Sequence, residues 1–382
     1  MRESGASGRS GGWLGFRVLV VFCLFYVLSV PGCTRNEPVR IGYVGTLTGR
    51  HADLGTAGRD GVIFAVEETN RKGGVNGRQV EVLVRDDRGD PETAKRVVQE
   101  LIDRKVTAII GPMTSGVALA VAPVVNGSDV AMVSPTVSSN ELTGRDDNFL
   151  RVYAPSRSNA RKLAEYARKN LGIGRIAVIY DEANRAHTEG WYRYFRERFE
   201  ELGGEVVAVK PYDSTRSVAF LAISREVATA RPGGVLMLAG GLDTAMFCQQ
   251  FRKIGAGIRL LASEWSSSDE LILHGGAAVN GIIFYQNFNR HDVSPRYTGF
   301  RETYRQRFSS DPEFGAVYAY DATEVALRGV ASTRDGGTLR EAIIRLGRFS
   351  GVQGDIIVDR YGDAERIPFL MTVRDGIFKR LE

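Results

Sequence analysis

"GDPETAKRVVQELIDRKVTAIIGPMTSG", residues 89–116, decides the fold class because a helical pattern runs directly into a strand pattern. Asp90 and Pro91 suit the N-cap and the first helical position. Apolar residues then recur at 94, 97, 98, 101 and 102, which is one face of a helix. The run Val106–Ile110 is rich in β-branched residues, as expected for a strand covered on both faces. A helix laid on such a strand predicts a parallel α/β sheet.

The same alternation continues along the chain and falls into two series. Residues 38–150 hold the first series, and the second runs to about 287, so we predict α/β architecture with two doubly wound parallel sheets. Helical patterns follow at 294–308, 314–332 and 337–347. The chain then ends in strand and turn patterns, where "RDG" (374–376) predicts a hairpin. Strand patterns in the two series lie at 39–44, 79–84, 106–110, 130–133, 175–180, 205–209, 234–239, 258–262 and 281–285.

Residues 1–32 resemble the signal peptide of a bacterial lipoprotein. Arg2, Arg9 and Arg17 precede the apolar run 18–30, which is shorter than a membrane-spanning helix requires. Cys33 follows the small residue Gly32, as in a lipobox. We therefore predict lipidation of Cys33 on the periplasmic or cell-surface side of a bacterial membrane. Ordinary secretion and an uncleaved anchor are the alternatives.

Composition and motifs exclude several function classes. The net charge of +5 includes no basic run of the kind that follows phosphates, so we expect no nucleic-acid partner. The Gly-rich "GTLTGRHADLG" lacks dinucleotide-binding spacing, and the four histidines lack metal-ligand spacing, so we expect no cofactor and no metal. Beyond Cys33 the sole cysteine is Cys248, whose helical spacing predicts a buried apolar role, with a reactive thiol as the alternative.

Hydroxyl side chains crowd two loops, "GPMTSG" (111–116) and "SPTVSS" (134–139), each directly after a strand pattern. Neither loop contains a base that would activate a nucleophile, so we do not predict an enzyme. Strand ends in open α/β sheets form the ligand crevice, where hydroxyls and a helix N-terminus bind anions. We therefore predict that these hydroxyls bind a small carboxylate, with the side chains of Thr114, Ser115, Thr136 and Ser138. Helix capping by Ser115 is the alternative.

A zwitterionic ligand also requires an anion for its ammonium group. Glu264, in "LASEW", follows a strand pattern of the second series and suits this role, with a local cap or salt bridge as the alternative. Asp243 is expected to be an N-cap. Tyr320 is expected either in the helical core or on the wall of the cleft.

"GGVNGR", "DDRGDP", "IIGPMTSG", "VSPTVSSNELT" and "LASEW" together resemble the periplasmic branched-chain amino-acid (Leu/Ile/Val) binding proteins, which are type I solute-binding proteins. The resemblance implies two lobes joined by three crossovers: 38–153 with 288–350, and 154–287 with 351–382. It implies that Ser115, Thr136 and Ser138 hold an α-carboxylate and that Glu264 holds an α-ammonium. It also implies delivery of the ligand to ABC permease and ATPase subunits. A sensor for amides, urea or aromatic acids is the alternative.

The side-chain pocket departs from that family. Family members often have aromatic residues at three positions where this sequence has Leu54, either Arg185 or Ala186, and Leu242. Trp265, beside Glu264, can supply replacement aromatic surface. The first-lobe disulfide of some members is absent, since Gly89 and Thr114 take the places of its cysteines. The resemblance therefore predicts amino-acid anchors with an altered selectivity.

Overall fold

The first strand series forms a five-stranded parallel sheet in the order β2–β1–β3–β4–β5. The computed structural model describes Met1 and residues 37–255 and 257–381, so the predicted signal peptide and Cys33 lie outside the described residues. The short β5 was not predicted. The strands are β1 Val39–Gly45, β2 Val80–Asp86, β3 Ala108–Ile110, β4 Ala131–Ser134 and β5 Phe149–Arg151, with helices α1 Ala52–Arg71, α2 Pro91–Asp103 and α3 Ser115–Asn126.

The opening stretch folds as its pattern predicts. Asp90 is the N-cap of α2 and accepts a hydrogen bond from the Thr93 amide at 2.7 Å. Leu101 on the apolar face of α2 lies so close to β1 that a Cβ at Gly42 would come within 2.7 Å of its Cδ1. A side chain at Gly42 would therefore displace the Leu101 side chain, so glycine permits this close packing.

The second series forms a seven-stranded sheet in the order β15–β14–β10–β9–β8–β6–β7. Strands β6 to β10 are parallel, and β14 and β15 add an antiparallel hairpin at one edge. Asp375 and Gly376 form its turn with φ values of 53° and 69°, which confirms the predicted hairpin. The elements are β6 Arg175–Asp181, β7 Glu205–Tyr212, β8 Gly234–Leu238, β9 Arg259–Ala262, β10 Ile283–Gln286, β14 Phe369–Arg374 and β15 Ile377–Arg380, with α4 Arg157–Lys169, α5 Arg185–Glu201, α6 Phe220–Thr229, α7 Gly241–Ile254 and α8 Asp269–Gly275.

The late helices return to the first sheet. Their apolar residues and those of a small antiparallel sheet, β11–β13, share one core with β1, β3 and β4. The chain thus passes between the two sheets three times: after β5, after β10 and after β13. Residues 352–364 pack with the first sheet, although they lie beyond the predicted boundary at residue 350. The elements are α9 Pro295–Phe308, α10 Phe314–Ser332, α11 Leu339–Leu346, β11 Arg348–Gly351, β12 Gly354–Val358 and β13 Ala364–Glu365.

Cys248 on α7 is fully buried in the core of the second sheet. Burial raises the pKa of its thiol to about 12, so the thiol stays protonated and unreactive at neutral pH. The predicted apolar role is confirmed. Within the described part of the chain, no helix combines the length and apolarity needed to cross a bilayer.

Candidate functional site

The carboxyl ends of strands from both sheets meet around one pocket. Loops after β3 and β4 approach it from the first sheet, and residues that follow β6 and β9 approach it from the second. The structure therefore brings together most of the residues predicted for the site. The pocket is lined by Leu54, Met113, Thr114, Ser115, Thr136, Ser138, Tyr153, Asn184, His187, Glu264, Trp265 and Phe314.

Ser115 joins the two hydroxyl loops. Its Oγ accepts hydrogen bonds from the amides of Ser138 (3.3 Å) and Ser139 (3.2 Å), although the serine is buried. The N-cap of α3 is Thr114, so the alternative in which Ser115 caps that helix is wrong. Two accepted bonds occupy the lone pairs of a hydroxyl and leave its hydrogen for another acceptor. Ser115 is thus a donor at the N-terminus of a helix, where anions are favoured.

The second hydroxyl loop uses its side chains differently. Thr136 donates its hydroxyl hydrogen to the Met113 carbonyl at 2.6 Å, which fixes the loop after β4 against the loop after β3. Ser138 Oγ lies 2.9 Å from Nδ1 of His187, which reaches across from the second sheet. Neither loop contains a base, but the fold places the ring of His187 beside Ser138.

His187 is nevertheless a poor catalytic base. It is buried, and burial lowers the pKa of its imidazole to about 4, so the ring accepts a proton weakly at neutral pH. Its Nε2 has no hydrogen-bond partner within the described residues, so no carboxylate orients the ring as in a serine-hydrolase triad. The Ser138–His187 pair therefore suits ligand binding better than nucleophilic attack.

Glu264 follows β9 and lies buried on the opposite side of the pocket. Its Oε2 accepts a hydrogen bond from Trp191 Nε1 at 3.0 Å, whereas Oε1 lacks a partner in the part of the chain that the structure describes. The amide of the neighbouring Asn159 donates to Asn287 Oδ1 at 3.2 Å and also favours the charged form of Glu264, which lowers the pKa of that carboxyl without offsetting burial. Burial raises the pKa of Glu264 to about 7. The predicted local cap or salt bridge does not account for this carboxyl, which suits a cationic ligand group.

Sequence reasoning missed Asn184 and His187. Both follow β6, and Asn184 Oδ1 accepts a hydrogen bond from the Gly116 amide at 3.0 Å, in the first turn of α3. The signal was available, because these residues follow the carboxyl end of a parallel strand as the hydroxyl loops do. The family resemblance directed attention to Arg185 or Ala186 instead, which are absent from the pocket lining.

Leu242 and Tyr320 are predicted site residues that the structure does not bring to the pocket lining. Leu242 lies in the first turn of α7. Tyr320 packs against Phe64 and Phe300, with ring centroids 5.9 and 4.9 Å apart, and donates its hydroxyl to Glu68 Oε2 at 2.7 Å. Its packing is that of a core residue.

Two consecutive residues, Arg50 and His51, connect the sheets at the rim of the pocket. Arg50 Nε donates to the buried Asp243 at 2.9 Å, and Asp243 also accepts from the Tyr212 hydroxyl at 2.8 Å. His51 Nε2 lies 3.2 Å from Ser214 Oγ. We call Arg50 and His51 the rim pair. The expectation that Asp243 caps α7 is wrong, since Gly240 is the N-cap and Asp243 pairs with Arg50.

Two α/β sheets that enclose a pocket with a few polar groups between their strand ends are the architecture of a solute-binding protein. The chain belongs to the periplasmic binding protein family, whose model matches residues 38–376. It is of the type I, branched-chain amino-acid binding kind, and this family implies an extracytoplasmic location.

Known relatives and solved structures resemble this chain over most of its length. The Leu/Ile/Val-binding protein BraC3 of Rhizobium johnstonii is 30% identical over 77% of this chain and 79% of its own length. The crystal structure of a leucine-binding protein from Thermotoga maritima superposes with a TM-score of 0.82 at 28% identity, over 90% of this chain and 98% of that one. A solute-binding protein of R. palustris in complex with benzoate has the same fold, with a TM-score of 0.80 at 20% identity, over 90% and 95% of the two chains.

Proposed function

We propose that this protein is a lipid-anchored receptor that binds an amino acid between two lobes and delivers it to an ABC transporter. In this proposal one lobe comprises 38–153 with the segment that starts at 288, and the other comprises 154–287 with β14 and β15. Packing of residues 349–364 with the first sheet favours a last crossover near residue 366. Lipidation of Cys33 would hold the receptor at the membrane surface.

One observation carries the proposal: two complementary polar groups line the same pocket from opposite sheets. Ser115 offers a hydroxyl hydrogen at the N-terminus of α3, and Glu264 offers a buried carboxyl oxygen without a partner among the described residues. An α-amino acid carries a carboxylate for the first group and an ammonium for the second. A hydrogen bond to a charged group contributes about 1.5–3 kcal/mol, so two such contacts discriminate strongly against ligands that lack either end.

In this proposal, ligand binding changes the conformation of the protein and does not alter the ligand chemically. Because the ligand would bond to groups on both sheets at once, it stabilises the closed state over an open one. A permease that recognises the closed state would then accept only loaded receptors. The poor basicity of His187 is consistent with binding without turnover.

Thermal unfolding of the full chain with single candidate ligands tests this function. We expect an amino acid at about 100 times its Kd to stabilise the protein by roughly 2.7 kcal/mol. The matched 2-hydroxy acid, which lacks the ammonium, and the matched amine, which lacks the carboxylate, should each stabilise it much less. Stabilisation by amides, urea or aromatic acids with none by amino acids would refute the proposal and favour the sensor alternative.

A further inference from the structure

We infer that His187 makes the pocket selective for amino acids whose side chains carry a hydrogen-bond donor, namely a hydroxyl or a carboxamide. This inference rests on the proposed function and adds the class of ligand. Its starting point is an atom for which the protein itself offers no partner.

Two residues of the pocket lining have a buried polar atom without a partner within residues 37–255 and 257–381: Glu264 at Oε1 and His187 at Nε2. A buried polar atom left without a hydrogen bond is costly, and native proteins rarely tolerate one without a reason. The ligand ammonium accounts for Glu264 Oε1 under the proposed function. This leaves His187 Nε2 open to another donor on the ligand, and we assign that donor to the ligand side chain.

The protein holds the His187 ring firmly at the pocket. Nδ1 lies 2.9 Å from Ser138 Oγ, and the ring packs nearly perpendicular to Trp265, with centroids 5.8 Å apart. Leu54 and Phe314 supply apolar lining around it. Because Nδ1 is bonded to Ser138 and the ring packs on Trp265, Nε2 is the ring nitrogen that remains for a ligand.

The proton on the ring decides which ligand groups Nε2 accepts. Ser138 belongs to the proposed carboxylate cradle, so its hydroxyl hydrogen points to the ligand and its oxygen accepts from His187 Nδ1–H. A neutral imidazole carries a single N–H, which leaves Nε2 as an acceptor. Burial keeps the ring neutral, because the pKa falls to about 4. Nε2 therefore pairs with a hydroxyl or amide N–H, repels a carboxylate and stays unpaired beside an aliphatic side chain.

Isosteric amino acids test the inference on the unmodified protein. Threonine and valine have nearly the same shape, as do asparagine and leucine, and only the polar member of each pair carries a donor. By titration calorimetry at pH 7.5 we expect the polar member to bind at least tenfold more tightly in one of the two pairs. Equal or tighter binding of both aliphatic members overturns the inference and leaves the proposed function intact. Tightest binding of aspartate or glutamate overturns it too, because it would require a proton on Nε2.

Three substitutions separate ligand contact from positioning of Ser138. The amide of His187→Gln reaches the place of Nε2, that of His187→Asn reaches the place of Nδ1, and His187→Phe retains neither. We expect the polar preference to persist in His187→Gln and to disappear in the other two. A preference that survives all three substitutions, or persists in His187→Asn and is lost in His187→Gln, contradicts direct contact through Nε2. Failure of every amino acid to bind the unmodified protein would instead refute the proposed function.

Discussion

Replacement of Glu264 by glutamine should stabilise the ligand-free protein at alkaline pH and weaken its binding of ammonium groups. The pKa of this carboxyl rises from an ordinary 4.5 to about 7 because the group is buried. The folded protein therefore holds a proton that the unfolded chain releases between these two values. The resulting contribution to the free energy of unfolding is complete below about pH 4.5 and is lost as pH rises through 7.

The magnitude follows from the size of the pKa shift. At about 1.4 kcal/mol per pH unit, the rise from 4.5 to about 7 corresponds to about 3 kcal/mol. Glutamine carries no charge at any pH and can still accept the hydrogen bond from Trp191 Nε1. The difference in unfolding free energy, Glu264→Gln minus unmodified protein, should thus be near zero at pH 4.5 and about 3 kcal/mol at pH 8.

Urea unfolding of both proteins from pH 4.5 to 8.5 without ligand gives this difference curve. His187 titrates in the opposite sense, since its lowered pKa adds stability as pH rises toward 6.5, but it is present in both proteins and cancels. Glu313→Gln is a matched control. Burial raises the pKa of Glu313 to about 7 as well, and Glu313 is not part of the pocket lining.

The two variants should agree in stability and differ in binding. Both should gain stability at alkaline pH, whereas only Glu264→Gln should lose tenfold or more in affinity for an amino acid relative to its amine-free analogue. A flat difference curve for Glu264→Gln would show that burial does not hold the proton on this carboxyl. Equal losses for the amino acid and its analogue would remove Glu264 from the ammonium site.

Three further predictions concern the carboxylate end, the rim pair and the anchor. Ser115→Ala should weaken the binding of carboxylate ligands about tenfold by calorimetry, because it removes a donor and the acceptor of two amides. Thr136→Val should weaken binding less, because the Thr136 hydroxyl already donates to the Met113 carbonyl. The reverse order would contradict the proposed carboxylate site. Arg50→Gln removes the cation beside the buried Asp243 and should weaken the link between the two sheets. The ligand-free protein should then have a larger radius of gyration in small-angle X-ray scattering, whereas the control Arg88→Gln, at the same rim, should not change it. Identical scattering of all three proteins would show that Arg50 does not hold the cleft closed. Cys33→Ser should abolish palmitate labelling and membrane recovery of the full chain, and retained labelling would place the lipid elsewhere.

Local patterns predicted the elements that depend on local chemistry. The cap and apolar face of α2 and the turn of the β14–β15 hairpin follow from residues within a few positions of each other. The three-residue β5 is too short to show an alternation, and only its pairing with β4 makes it a strand. Periodicity also shows that a face is buried without showing which element covers it, so the sequence could not assign residues 352–364 to the first sheet.

The candidate site shows the same division. The hydroxyl loops and Glu264 were predicted because strand ends of a parallel sheet converge on one edge, whatever the details of packing. Asp243 was assigned to a cap because its partner, Arg50, lies 193 positions away and no local signal joins them. The position of His187 after β6 was a signal for the site, but its bond to Ser138 could not be predicted, since it spans 49 positions and exists only when the two sheets meet.

The two residues of the rim pair differ in how they can affect ligand binding: Arg50 can change affinity alone, whereas His51 can also change ligand preference. Arg50 and His51 contact Asp243 and Ser214 at the edge of the cleft, and neither residue belongs to the pocket lining. Their bonds contribute to closure whether or not the cleft is filled. We therefore expect substitution of Arg50 to rescale all dissociation constants by a common factor. His51 packs against Trp265 of the pocket lining, with ring centroids 5.1 Å apart, so its substitution should also change the ranking of ligands.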